Sequence, residues 1–167
     1  VIEDYHAAPG YIEALAASVG AARQPFDHLL FSFHGIPRRY ALAGDPYGER
    51  CRETARLVAG KLDLPASRWS VAFQSRVGRA RWLEPYTEDR LRELAAGGTE
   101  RVAVVCPGFS VDCLETLEEI AIRGSNTFIT AGGVDFEYIP ALNDDAAQVD
   151  CLARLVVARL RSGAAPP

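Results

Sequence analysis

The hydrophobic positions of this chain follow two rhythms: short solid runs closed by glycine or proline, and stripes that repeat every three or four residues. The solid runs at 28–34, 69–75, Arg101–Val105 and 136–139 are too short for helices and read as buried strands. The stripes between them predict helices. Pro9 and Gly10 open one that reaches about Arg23, with Ile12, Leu15, Ala16 and Val19 facing inward. A second starts at an Asp45 N-cap followed by Pro46 and carries Cys51, Ala55, Val58, Ala59 and Leu62 inward. Thr87 caps a third, with Glu88 and Asp89 in its first turn and Gly97-Gly98 as its stop. Asp112 caps a fourth, whose Leu114, Leu117 and Ala121 share one face. The last starts near 144–145 and carries Val149, Leu152, Leu155, Val156 and Leu160 as far as Gly163, before a frayed tail at 164–167. Residues 38–44 read as a polar loop, 127–133 as a glycine-punctuated segment, and Val1-Ile2 as the tail of a strand from a longer protein.

Strands alternating with helices predict an α/β fold with a parallel, doubly wound sheet. Parallel strands end on one edge, the edge where such folds bind ligands. His34, the 74–82 loop and the 109–119 segment are therefore expected to converge there. Gly132-Gly133 lacks the spacing of a phosphate-binding glycine loop.

Three features on that edge carry candidate chemistry. His34 is the last side chain before the Gly35-Ile36-Pro37 stop; a lone histidine is more often structural, but this position raises the functional share. Asp112, Glu115 and Glu119 are spaced by three and four, which on a helix points their carboxylates the same way. A solvated acidic face and a cation or proton site both account for that stripe, with the helix dipole favouring only its first two members. Trp82 among Arg76, Arg79 and Arg81 suits a flat anionic aromatic ligand, and suits packing equally well.

Composition narrows the class. A chain of 167 residues, 49% hydrophobic and 24% charged, makes one globular domain with a real core. Its net charge of −4 argues against a nucleic-acid partner, and no apolar run has the length of a membrane helix. Cys51, Cys106, Cys113 and Cys151 are too widely spaced for a disulfide framework or a zinc pair, and read as free thiols in a reducing cytoplasm.

Six blocks then carry a resemblance: Ser32-Phe33-His34-Gly35-Ile36-Pro37, Gly44-Asp45-Pro46-Tyr47, Phe73-Gln74-Ser75-Arg76-Val77-Gly78, Trp82-Leu83-Glu84-Pro85-Tyr86-Thr87, the stretch 106–120, and Phe136-Glu137-Tyr138-Ile139-Pro140-Ala141-Leu142-Asn143. In this order, and over essentially the whole chain, they resemble ferrochelatase of the bacterial type, which inserts ferrous iron into protoporphyrin IX to make protohaem. The resemblance implies a Rossmann-like, chelatase-like three-layer domain with a four-stranded parallel sheet flanked by helices. It implies that residues 1–167 form the carboxyl-terminal half, the amino-terminal half of the enzyme being absent from this chain.

By position, the resemblance makes His34 and Glu115 the catalytic pair and the metal-binding pair, and places Asp112 and Glu119 on a metal or proton path. It assigns Trp82, Phe109, Gln74, Ser75 and Arg76 to porphyrin contact. Some relatives have a histidine where this chain has Cys113. Iron is a substrate in this reading; no cofactor and no iron–sulfur cluster are expected. The implied partners are protoporphyrin IX, Fe²⁺ and the missing half, with peripheral membrane contact of a cytoplasmic parent enzyme and no nucleic acid.

The residue types suit the reaction. Metallation removes two pyrrole protons and sets a divalent cation among four nitrogens. An imidazole accepts a proton near neutral pH and ligates iron, while a carboxylate takes the second proton or steers the cation. The alternative functions are a tetrapyrrole- or metal-binding module without turnover, a cobalt or nickel chelatase of the same fold, and a nucleotide-binding domain, which the missing glycine fingerprint disfavours.

Overall fold

The computed structural model describes residues 1–161 and Gly163; the tail expected to fray at 164–167 lies outside the described residues. Four parallel strands form one sheet in the order β2-β1-β3-β4, where β1 is His28–His34, β2 Trp69–Gln74, β3 Arg101–Val105 and β4 Asp135–Ile139. Every residue of β1 before His34 is buried, because β1 has a strand on each side and helices over both faces. That is why its sequence is a solid apolar run.

Helix α1 (Pro9–Gly20), α3 (Tyr47–Lys61) and α7 (Ala146–Arg161) form one outer layer, packed over Leu29, Phe31, Phe33, Phe73 and Val105. Helix α4 (Thr87–Ala96) and α6 (Ser125–Thr130) form the other, with the segment that precedes α6, over Leu30, Ala72, Val102 and Val104. The expected three-layer α/β architecture is thus present.

The strand order also locates the ligand crevice. From β1 the chain moves outward to β2, and from β3 it moves the opposite way to β4. The connections diverge between β1 and β3, the topological switch point at which open α/β sheets bind ligands.

Several local expectations are corrected. Val1 and Ile2 are exposed and belong to no strand. Residues 38–44 contain a short helix, α2 (Arg38–Leu42), none of whose residues is buried. Its lack of a core face removed the periodic signal. Thr87 does not cap α4; Tyr86 is the N-cap, and Thr87 is a buried first-turn residue whose hydroxyl points into the sheet. Residues 127–130 are helical within α6 rather than part of a turn.

In α7 the expected inward face is largely outward: Val149 is 53% exposed and Leu160 75%, while Gln148 and Cys151 are buried. α7 packs chiefly on α1, and one neighbouring helix covers only one side.

Candidate active site

β1 delivers His34 to the carboxyl edge of the sheet, where it becomes half-buried. Its Nδ1 lies 2.7 Å from the Gly35 carbonyl oxygen. A carbonyl only accepts, so Nδ1 carries the proton, and in the neutral ring Nε2 keeps its lone pair. The Tyr47 hydroxyl donates to the His34 carbonyl at 2.8 Å and holds the main chain beneath the ring. Burial pushes that hydroxyl's pKa up, which keeps it a donor. Tyr47 lay inside the Gly44–Tyr47 block, but only its contact with a strand end 13 residues away in sequence gives it a role.

Two aromatic rings flank the imidazole, Trp82 at 6.2 Å and Phe109 at 6.3 Å between centroids. The Trp82 indole N–H donates to the Val77 carbonyl at 3.0 Å, which closes the 77–82 loop on itself. Gly35 lets the indole lie close: a Cβ there would stand 3.1 Å from both the Trp82 ring and the Gln74 carbonyl oxygen. On the other side, Gly108 passes over Phe33 and Tyr47 as the chain leaves β3.

The acidic segment departs from its expected form. The helix starts at Leu114, with Cys113 as an extended N-cap (φ −150°, ψ −174°), so Asp112 is outside the helix. α5 (Leu114–Thr116) runs directly into a π-helical stretch, Leu117–Gly124. Its wider turn buries Thr116, Ile120 and Gly124, four residues apart, and turns Leu114 and Leu117 to solvent at 78% and 48% exposure. The apolar face expected from a 3.6-residue period is therefore the outer one.

The three carboxylates consequently have three different settings. Asp112 faces β4 and the turn after it. It accepts from the Tyr138 hydroxyl at 2.6 Å, the Asn143 amide at 2.9 Å, the Thr116 hydroxyl at 3.0 Å and the Ala141 N–H at 3.2 Å. Burial would raise its pKa, but these four donors together hold it below the usual carboxylate range. Glu119 is gripped by Ser75, whose N–H and hydroxyl each donate to one of its oxygens at 2.7 Å. Ser75 reaches this position with a left-handed backbone, φ 64°.

Glu115 is the carboxylate left facing outward. The Cys113 side chain and Glu115's own backbone N–H hold its carboxyl below the ordinary range, and the His34 imidazole lies near enough to act on it. Cys113 thus acts on this site as a neighbour of Glu115.

Of the remaining residues expected at the porphyrin, Trp82 and Phe109 line the His34 edge, and Ser75 is held by Glu119. The Arg76 guanidinium is exposed and stacks on the Tyr86 ring at 4.5 Å. Gln74 is placed behind the site instead: it is 3% exposed, and its amide is engaged on both sides by protein groups.

Among the described residues, no group of three or more His, Cys, Asp and Glu side chains is gathered closely enough to hold a metal ion. His34 and Glu115 can offer one nitrogen and one carboxylate to a cation whose other ligands come from elsewhere, such as ring nitrogens. Also among the described residues, no helix is long and apolar enough to cross a membrane.

The family model described as "Ferrochelatase" matches residues 1–160. A protein of Aeromonas hydrophila named ferrochelatase is 51% identical over 96% of this chain and 50% of its own length. The ferrochelatase of Sodalis glossinidius is 52% identical over 99% of the chain and 50% of its own length. That of Nitrosococcus oceani is 51% identical over 93% of the chain and 43% of its own. The chain spans about half the length of the curated relatives it matches.

Proposed function

Because this chain belongs to the ferrochelatase family, we propose that it forms the carboxyl-terminal half of an enzyme that inserts ferrous iron into protoporphyrin IX to give protohaem. The observation that carries this reading is the placement of His34: a histidine with Nε2 unencumbered, at the switch point of the sheet, beside an ionised Glu115 and between two aromatic rings.

In this reading the porphyrin lies over the carboxyl edge against Trp82 and Phe109. Val111, Leu114 and Leu117, all exposed, add apolar surface to the segment that carries Phe109 and Glu115. The other half of the enzyme supplies the opposite wall. His34 Nε2 accepts a pyrrole proton as the ring takes up Fe²⁺. Glu115, ionised at neutral pH, attracts the cation or takes the second proton. Two protons leave as four ring nitrogens close on the metal. Aromatic contacts favour a bent macrocycle whose nitrogen lone pairs point out of plane, at the expense of binding energy.

Iron enters here as substrate, and the reading includes no resident cofactor. Four free cysteines, three of them buried, fit a reducing cytoplasm. The apolar substrate favours peripheral contact of the complete enzyme with a membrane.

The test is anaerobic insertion of Fe²⁺ into protoporphyrin by the complete parent chain. Turnover with iron supports the reading. Porphyrin binding without turnover, or turnover with cobalt or nickel but not iron, replaces it with a binding module or a different chelatase.

A further inference from the structure

Gln74 is the last residue of β2 and lies directly opposite His34 in the β1–β2 register. Its Oε1 accepts from the Ser32 hydroxyl at 2.7 Å and from the Cys106 thiol at 3.4 Å, and its Nε2 donates to the backbone carbonyl of Glu115. Ser32 is two residues before His34 on the same face of β1. Since the Ser32 proton goes to Gln74, the Thr87 hydroxyl, 2.8 Å away, must be the donor to Ser32.

Every proton in this chain has a single consistent place. Turning the amide over would set Oε1 against the Glu115 carbonyl, two acceptors face to face. Ser32, Gln74 and Thr87 are all at most 3% exposed, so water does not compete with these bonds. A buried, fully satisfied network of this kind fixes one geometry.

The link reaches Glu115 where the acidic segment is least able to place it unaided. α5 is three residues long and gives way to the π-helical stretch at Leu117, so Glu115 stands on a single short turn. Gln74 ties that turn to the strand pair bearing His34.

We propose that Gln74 is a positioning residue for iron insertion, setting the Glu115 carboxylate relative to His34 through the Glu115 main chain. This rests on the function proposed above. It differs from a porphyrin contact, because the Gln74 side chain has no face towards a ligand.

The test compares Gln74→Met, similar in size but unable to make these bonds, with the unaltered complete enzyme. The expected result is a roughly 10- to 100-fold fall in kcat, the usual effect of losing a residue that orients a reactive group, with KM for porphyrin within about twofold. In a Glu115→Gln background the same substitution should change kcat by less than about threefold, since its target is already gone. The carbon NMR signal of the Glu115 backbone carbonyl should shift in Gln74→Met, because that carbonyl loses its donor, and the Glu115 side-chain carboxyl signal should move or broaden as the short turn loses its tie. Those signals do not depend on which metal or ring the enzyme uses, so they separate failure of this inference from failure of the proposed function.

Unchanged kcat with unchanged Glu115 carbon signals overturns the proposal. So does a loss carried by KM alone, which would make Gln74 a binding contact, or a loss undiminished in the Glu115→Gln background. If Gln74→Met does not fold, Ser32→Ala, which removes the shorter of the two bonds to Oε1 and leaves the Cys106 thiol in place, should lower kcat about threefold in the same pattern; no change there also overturns it.

Discussion

The Nδ1–H of His34 donates to the carbonyl of Gly35, its own chain neighbour, at 2.7 Å. This bond fixes the tautomer without using a side chain from another element, and among the described residues the imidazole supports no hydrogen bond to a neighbouring side chain that its loss would break. His34→Ala should therefore leave the fold intact while lowering metal insertion by roughly 10²- to 10⁴-fold, the range for loss of a general base. Anaerobic turnover of the complete enzyme, alongside its circular dichroism and unfolding temperature, checks both halves of that statement. Equal turnover in the variant moves proton acceptance to another residue.

His28 sits at the other end of the same strand and behaves oppositely. It is buried, its Nε2 pairs with the Ser70 hydroxyl at 2.8 Å, and burial with the nearby Arg90 and Arg68 guanidiniums lowers its pKa from 6.5 to about 4. Between those values the unfolded chain holds a proton that the folded chain does not. Stability must then fall as pH drops from 6.5 to about 4, by at most about 1.4 kcal/mol per pH unit from this group, and level off below. Unfolding of the complete enzyme at several pH values in that window, compared with His28→Gln, should show a shallower fall in the variant. Identical slopes would mean His28 is hydrated in the folded state.

The two ends of β1 also show what the sequence could and could not convey. The strand was legible because burial on both faces leaves a solid apolar run, and His34 was legible as the last side chain before Gly35. The acidic segment was misread because its period was taken as 3.6. The Cys113 N-cap takes Asp112 out of helical phase, and the π turn after Leu117 changes which residues face inward. α2 was invisible for a related reason: five exposed residues carry no pattern. The settings of the carboxylates are non-local. Asp112 is held by residues 26 and 31 positions away, and Glu119 by one 44 positions away. Roles for Glu115 and Trp82 came from family resemblance; their placement beside His34 came from the fold.

Asp112 illustrates the cost of that non-locality. With four donors converging on it, its carboxylate fastens the loop after β3 to β4 and the Asn143 turn. Asp112→Asn puts an amide N–H₂ among donors and should destabilise the fold by about 1–3 kcal/mol at neutral pH. Because the folded carboxyl titrates below its usual value of 3.8, the stabilisation is present above that value and lost as pH falls through the folded one. The variant and the unaltered enzyme should therefore converge in stability at strongly acidic pH. A variant of full stability with reduced metal insertion would instead place Asp112 on the metal or proton path.

Gly35 lies between the strand end that carries His34 and the Trp82 ring, and this makes it a selective probe of the proposed porphyrin contact. An alanine methyl there would lie 3.1 Å from the Gln74 carbonyl, which belongs to the sheet, and 3.1 Å from the half-exposed Trp82 ring. The main chain at Trp82 is bridged to Pro37, so the half-exposed indole is the part that can move, and it should be displaced by a few tenths of an ångström or more. Losing good contact between one aromatic side chain and a flat ligand is worth about 0.5–1.5 kcal/mol, which is roughly a threefold to tenfold weaker Kd for porphyrin. The chemical step should change less, since His34 keeps its bond to the residue 35 carbonyl. Porphyrin titration and turnover of Gly35→Ala in the complete enzyme check this split. A fall in kcat with unchanged Kd would show that the methyl disturbs His34 itself, and that Trp82 contributes little to holding the ring.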